Sequence, residues 1–157
     1  MINLESIELI IGNSGRNFSG GTSITIQLLD YQEKEMNLAI LGSRFIPKNF
    51  TTLNYLQFLL ITRTKLPSGK LRVFYTRKNN EMIQGLIAKY IFRSKIKIIF
   101  SSSAQRNHTK FTKWLMSKMD SVVSTSRKAG NYLDKEPDKI ISHGIDLNRF
   151  SLPEDKD

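Results

Sequence analysis

With 157 residues, 39% of them hydrophobic and 24% charged, the chain has the length and balance of one folded domain with a sizeable core, not of a disordered tail. It has no cysteine, which excludes a disulfide framework and thiolate metal sites, and its two histidines, His108 and His143, stand too far apart for a metal-ligand spacing. Its formal charge is +10. Residues 77–113 alone hold nine Lys and Arg against Glu81, a net +8 that favours a polyanionic partner (nucleic acid, acidic lipid or phosphorylated sugar) or else marks solvated helix faces.

Met1–Glu8 has early acids and no basic n-region, so it does not read as a secretory signal. Ile7–Gly12 (IELIIG) is a buried strand closed by the Asn13-Ser14-Gly15 loop, which continues through Phe18-Ser19-Gly20-Gly21. Thr22–Leu29 (TSITIQLL) alternates like a strand, yet Thr22 or Ser23 as cap and the apolar residues out to Tyr31 equally permit a helix. Asn37–Leu41 is a second strand. Thr51–Ile61, with Leu53, Leu56, Leu59 and Leu60 at helical spacing and Thr51 or Thr52 as cap, is predicted as a helix. It is too short and too polar, with Asn54 and Gln57, to span a membrane, which needs ~18 apolar residues. A cytoplasmic location is the expectation.

Pro67-Ser68-Gly69 turns the chain into a third strand, Lys70–Tyr75. The pairs Met82/Ile83, Leu86/Ile87 and Tyr90/Ile91 predict a helix over Asn80–Phe92. A strand at Ile96–Phe100 and a helix at Asn107–Met119 follow, with Phe111, Leu115 and Met119 on one face and Trp114 beside them; Phe111 and Trp114 are assigned to the core, with membrane contact as the alternative. Ser121–Ser124, Ser126–Leu133 and Lys139–Ser142 read as strand, helix and strand. Strand and helix alternate throughout, which predicts an α/β fold, a Rossmann-like doubly wound parallel sheet. Ligands of such sheets sit beyond the carboxyl ends of the strands, so function is sought in the residues that follow each strand.

After the first strand, Gly20 and Gly21 let backbone N–H groups approach an anion, although a Gly-Gly pair is also a common plain turn. After the third, Arg77 offers a planar fork for phosphate or carboxylate, Asn80 is a candidate helix cap, and Glu81 reads first as the internal counter-ion of its basic neighbours and second as a base or hydroxyl acceptor. After the fourth, Ser101, Ser102, Ser103, Gln105 and Arg106 form a polar array suited to hydroxyls or phosphate oxygens, and His108 reads as a neutral surface residue. His143-Gly144-Ile145-Asp146 makes a tight polar turn after the last strand.

Taken in order, the Ser-Gly-Gly-Thr-Ser loop, Arg77–Met82 with Gly85-Leu86, Phe100–Thr112 with Trp114-Leu115, Met119-Asp120, Thr125-Ser126 and His143–Asp146 resemble glycosyltransferase family 4, and within it the lipopolysaccharide core mannosyltransferases of Gram-negative bacteria. The resemblance runs from about Ile7 to Phe150 and favours a helix for Thr22–Leu29. It implies a GT-B architecture. Residues 1–150 would be the N-terminal, acceptor-side domain, 151–157 a tail or truncated linker, and the C-terminal donor domain would be absent. Gly20, Gly21 and Thr22 would face the donor phosphates; Arg77, Asn80, Glu81, Ser101, Ser102, Ser103, Gln105 and Arg106 would line the acceptor side. His143, Gly144 and Asp146 would form the interdomain turn.

The resemblance further implies a nucleotide-sugar donor, GDP-mannose, held mainly by the absent domain, with no metal and no other cofactor. The acceptor would be lipid A-linked lipopolysaccharide core at the inner leaflet of the cytoplasmic membrane, reached peripherally, and a separately encoded donor domain is a further expected partner. Two departures stand out. No two Glu residues lie eight positions apart, as the donor domain's pair would, and Ser101 stands where some relatives carry a histidine after the fourth strand. No catalytic residue is assigned. The chain alone is expected to lack independent activity, as a truncated or split product, because one wall of a two-wall cleft cannot position both substrates. A nucleic-acid-binding module is the third and least favoured reading, since the basic stretch lacks interleaved aromatics and any recognition motif.

Overall fold

The computed structural model describes residues 4–142 and Gly144. Within them, seven strands form one sheet: β1 (Leu9–Gly12), β2 (Leu38–Leu41), β3 (Thr52–Leu53), β4 (Arg72–Thr76), β5 (Ile96–Ser102), β6 (Ser121–Ser124) and β7 (Lys139–Ile140). All pair parallel in the order β3-β2-β1-β4-β5-β6-β7. The connections hold α1 (Gly20–Glu35), α2 (Tyr55–Thr62), α3 (Asn79–Leu86), α4 (Lys110–Met116) and α5 (Arg127–Gly130). This is the α/β Rossmann-like arrangement read from the alternation. Its strand order reverses between β1 and β4, which opens a crevice above their carboxyl ends.

The period of two along each strand sorts the core into two layers. Ile10, Ala39, Phe74 and Ile98 point to the side holding Phe58 of α2 and Ala88 beyond α3. Ile11, Leu38 and Ile40 point to the other side, against Leu29 of α1. Both faces are therefore covered, as an all-parallel sheet requires. Gly85 permits the close seating of α3, because a Cβ there would lie 2.9 Å from Phe74 Cδ1.

One element takes the helix that the resemblance favours and differs only in its cap, and three others differ from the sequence reading in more than their ends. The Thr22–Leu29 segment is part of α1, capped by Ser19 rather than Thr22 or Ser23: the Ser19 Oγ accepts from the Thr22 amide at 3.4 Å. Leu53 belongs to the short strand β3, and a reciprocal Asn54–Gln57 capping box starts α2 after it. That shift turns the helix. Phe58 is buried, whereas Leu56 and Leu60 are 67% and 58% exposed.

The helix begun by α3 widens into a π turn over Ile87–Ile91. The altered phase carries Tyr90 and Ile91 outward, despite their place in the apolar rhythm. Finally, Phe111 and Trp114 are not core. Helix α4 spans only seven residues and buries Thr112, Leu115 and Met116, which leaves the two rings stacked on each other at 6.0 Å and about half exposed.

At the amino end of β6, Asp120 ties three elements together. It accepts from Lys89 Nζ at 2.6 Å, the Ile98 amide at 2.8 Å and Lys97 Nζ at 3.2 Å. Burial pushes its pKa up, but the bonds from Lys89, Ile98 and Lys97 outweigh that and hold it below the ordinary 3.8. A carboxylate depressed in this way contributes stability above its unfolded pKa and loses it as pH falls through the folded value. Asp120→Asn is therefore expected to cost about 1–3 kcal/mol at pH 7. The gap should narrow on acidification below the ordinary aspartate range, as measured by urea unfolding. A gap independent of pH would contradict this role.

Candidate functional site

The crevice above β1 and β4 is organised by a carboxylate that is completely buried. Glu81 sits in the first turn of α3 and reaches back over the loop that precedes it. One oxygen accepts from the Arg77 amide at 2.7 Å and the Lys78 amide at 3.2 Å; the other accepts from the Ser14 amide and the Ser14 hydroxyl, both at 3.1 Å. It thus satisfies otherwise orphaned N–H groups at a helix start and ties down the loop after β1. The backbone of β1 makes room for it: a Cβ on Gly12 would lie 2.9 Å from Glu81 Cγ. Lys78 Nζ stands above the same loop, where a Cβ on Gly15 would meet it at 2.7 Å.

Arg77 turns the other way. Its guanidinium donates to the Gly21 carbonyl at 2.7 Å, to the Gly12 carbonyl at 3.1 Å and to the Thr25 hydroxyl. Its Nε is buried without a partner. The fork that suits an oxyanion is here spent on the backbone of β1 and the first turn of α1, and so fixes the position of the Gly20–Gly21 turn. Ser19 completes that turn, its hydroxyl 3.1 Å from that of Thr22.

Further along the same edge, Ser102 Oγ lies 3.1 Å from His108 Nε2. Burial lowers the His108 pKa, and Lys113 and Arg106 push the same way while Asp134 opposes them. The imidazole is therefore neutral at pH 7 and, as a hydrogen-bonding group, folds the loop after β5 back onto its strand. On the β2 side, the buried Asn13 amide donates to the Arg44 carbonyl at 2.9 Å and the Gly42 carbonyl at 3.3 Å. The Arg44 guanidinium in turn donates to the Arg16 carbonyl at 2.8 Å. The loops after β1, β2 and β4 thus form one hydrogen-bonded rim, and the loop after β5, folded onto its own strand, lies alongside it. A cavity of about 320 Å³ lies at the opposite edge, where Met119, Asp120 and Ser121 meet Leu133–Asp138. Its three aspartates are bonded to the protein: Asp120 to lysines, Asp134 to Lys113, and Asp138 to Ser121 and the Val122 amide.

No family model matches the chain. It is 37% identical, over 155 residues and 98% of its length, to the lipopolysaccharide core biosynthesis mannosyltransferase LpcC of Rhizobium leguminosarum bv. viciae. It is also 37% identical, over 158 aligned residues, to the corresponding LpsB of Rhizobium meliloti (strain 1021). This is a glycosyltransferase-like chain. Its homologues are lipopolysaccharide core mannosyltransferases, and it matches 43% of the length of one and 44% of the other.

In this glycosyltransferase-like chain the residues singled out from sequence share the carboxyl edge of the sheet, but in different roles. Gly20, Gly21, Asn80, Ser103, Gln105 and Arg106 are exposed on the rim. Thr22, Ser101 and Ser102 are buried behind it, as is Glu81. Glu81 is not the counter-ion of the basic run; its hydrogen-bond partners are backbone amides and a hydroxyl, because the helix start offers those donors closer than any ammonium. Nor does Asn80 cap α3. Lys78 is the cap residue, and the Asn79 amide reaches across to the Thr112 hydroxyl at 2.9 Å. His143 and Asp146 lie outside the described residues; Gly144 is exposed. Sequence reading passed over Asn13, Ser14 and Lys78. Asn13-Ser14-Gly15 marked a loop, but nothing in the residues announced which partners that loop would hold.

Proposed function

We propose that this chain supplies the acceptor-receiving wall of a mannosyltransferase that acts on lipopolysaccharide core. The observation that carries the reading is the similarity of nearly the whole chain to part of two such enzymes, on a parallel sheet whose loops after β1, β2 and β4 are pinned into one polar rim. In this reading GDP-mannose is the donor and is gripped mainly by a second Rossmann-like part, on this chain or a separate one. Mannose passes to a sugar of the lipid-anchored core. The rim supplies hydrogen-bond donors and backbone N–H groups, which stabilise the departing diphosphate electrostatically without a covalent nucleophile. The described residues form one wall, so turnover needs the other wall in place.

The outer surface fits a peripheral encounter with an anionic leaflet. Among the described residues no helix is long and apolar enough to cross a membrane. Instead, α2, the π turn and α4 expose Leu56, Leu60, Tyr90, Ile91, Phe111 and Trp114 near the net +8 segment, a combination that suits acidic lipid headgroups.

Delipidated core oligosaccharide titrated into the isotope-labelled chain tests the reading. Amide shifts are expected at 13–21, 76–81 and 103–108. Shifts confined to the acidic cavity at 119–138, or none at millimolar ligand, would contradict it.

A further inference from the structure

Two phenyl rings at the rim are unexplained by the core. Phe18, after β1, and Phe45, after β2, meet edge to face with centroids 5.6 Å apart, yet they are 58% and 44% exposed. Phe45 adopts φ +65°, and the Ile46 amide donates to the Ser43 carbonyl at 3.2 Å. It therefore holds the third position of a tight turn in a left-handed conformation, where glycine or asparagine is the low-cost choice. A side chain with a Cβ meets a steric penalty there. The loop tolerates this because it is fixed from outside, by Asn13 on the Gly42 and Arg44 carbonyls and by Arg44 on the Arg16 carbonyl. Strain of this kind, held by surrounding bonds on a ligand-facing edge, is a feature of binding loops. The gain from it is one ring projected beside another in the solvent.

Resting on the acceptor reading above, we propose that Phe18 and Phe45 form a platform on which one pyranose ring of an acidic acceptor saccharide stacks. A pyranose has an apolar face of C–H bonds and a rim of hydroxyls. The face of one phenyl matches the first, and the other ring, at 87° to it, stands as a side wall. The hydroxyl rim faces a hydrophilic surround in which Arg16 and Arg44, exposed on the same two loops, complement a carboxylate or phosphate on the sugar. The platform stands two residues before Gly20 and beside the crevice between β1 and β4, so a sugar stacked there enters the rim from the β2 side.

Titration calorimetry of the full chain with delipidated core oligosaccharide, alongside thermal melting, tests the platform in wild type, Phe18→Ala, Phe45→Ala and Phe45→Asn. The asparagine variant relieves the turn strain, so it is expected to melt at or above the wild-type temperature. Each variant is expected to raise the oligosaccharide Kd about tenfold, the loss of one well-packed aromatic contact. Wild-type affinity in the folded Phe45→Asn variant would overturn the platform and leave the acceptor reading standing. Failure of the wild-type chain to bind would overturn the acceptor reading and the platform with it. A parallel loss of GDP affinity in the same variants would assign the rings to a nucleobase and overturn the sugar assignment.

Discussion

Glu81→Ala is expected to remove about 4 kcal/mol of folding stability, because it leaves half-buried amides of Ser14, Arg77 and Lys78 without their acceptor and empties a buried site. For a domain of this size that corresponds to a fall of about 10 °C in melting temperature. Glu81→Gln should fall between the two. It keeps the shape but turns one oxygen into a donor, so that two of the four bonds at that end face N–H against N–H or depend on the Ser14 hydroxyl turning round. The consequence for function is indirect. Without the carboxylate the middle of the loop after β1, at Ser14, loses its tie to the loop after β4 while Arg77 still holds its ends, and oligosaccharide binding should weaken in step with the loss of order there. Thermal melting and urea unfolding decide the matter. An alanine variant that melts within 2 °C of wild type but has lost ligand affinity would make Glu81 a ligand contact, contrary to its burial.

Arg77→Ala is expected to act on the other half of the rim. Loss of the guanidinium frees the Gly20–Gly21 turn from the end of β1 and costs about 2 kcal/mol. Its larger effect is on geometry: displacement of a positioning loop by an ångström costs on the order of a hundredfold in rate. The assay is mannose transfer by a chimera in which this chain replaces the matching segment of LpcC. Arg77→Lys should recover little, since an ammonium cannot reach the Gly12 and Gly21 carbonyls as a fork does. If Arg77 instead gripped acceptor phosphate directly, the alanine variant would keep kcat and raise KM, and that increase would shrink with salt. The inward geometry predicts a fall in kcat together with lower thermal stability.

Much of the fold was legible because parallel strands buried on both faces leave short continuous apolar runs. Ile7–Gly12 and Asn37–Leu41 contain β1 and β2, while Lys70–Tyr75 and Ile96–Phe100 overlap β4 and β5, which run on to Thr76 and Ser102. Strand β3 was hidden because Leu53 also fits the helical spacing of Leu56 and Leu60, and only the Asn54–Gln57 capping box separates the two elements. The π turn was equally silent, since a regular apolar rhythm carries no mark of one extra residue per turn. Residue types pointed to loops that share the carboxyl edge of the sheet but misread their wiring. Charge suggested that Glu81 meets cations and that Arg77 meets anions, whereas both end on neutral groups of the protein, chiefly backbone, that no pattern of side chains displays. Phe45 gave no turn signal at all, for the turn is built without the glycine that usually announces it.

The most direct measurement of the central claim is transfer of labelled mannose from GDP-mannose to lipopolysaccharide core by the unmodified LpcC chimera. Product is expected with the chimera and none with the remaining LpcC segment alone. A chimera that folds, binds GDP-mannose and still leaves the core unlabelled would contradict the assignment of this chain as the acceptor-receiving wall.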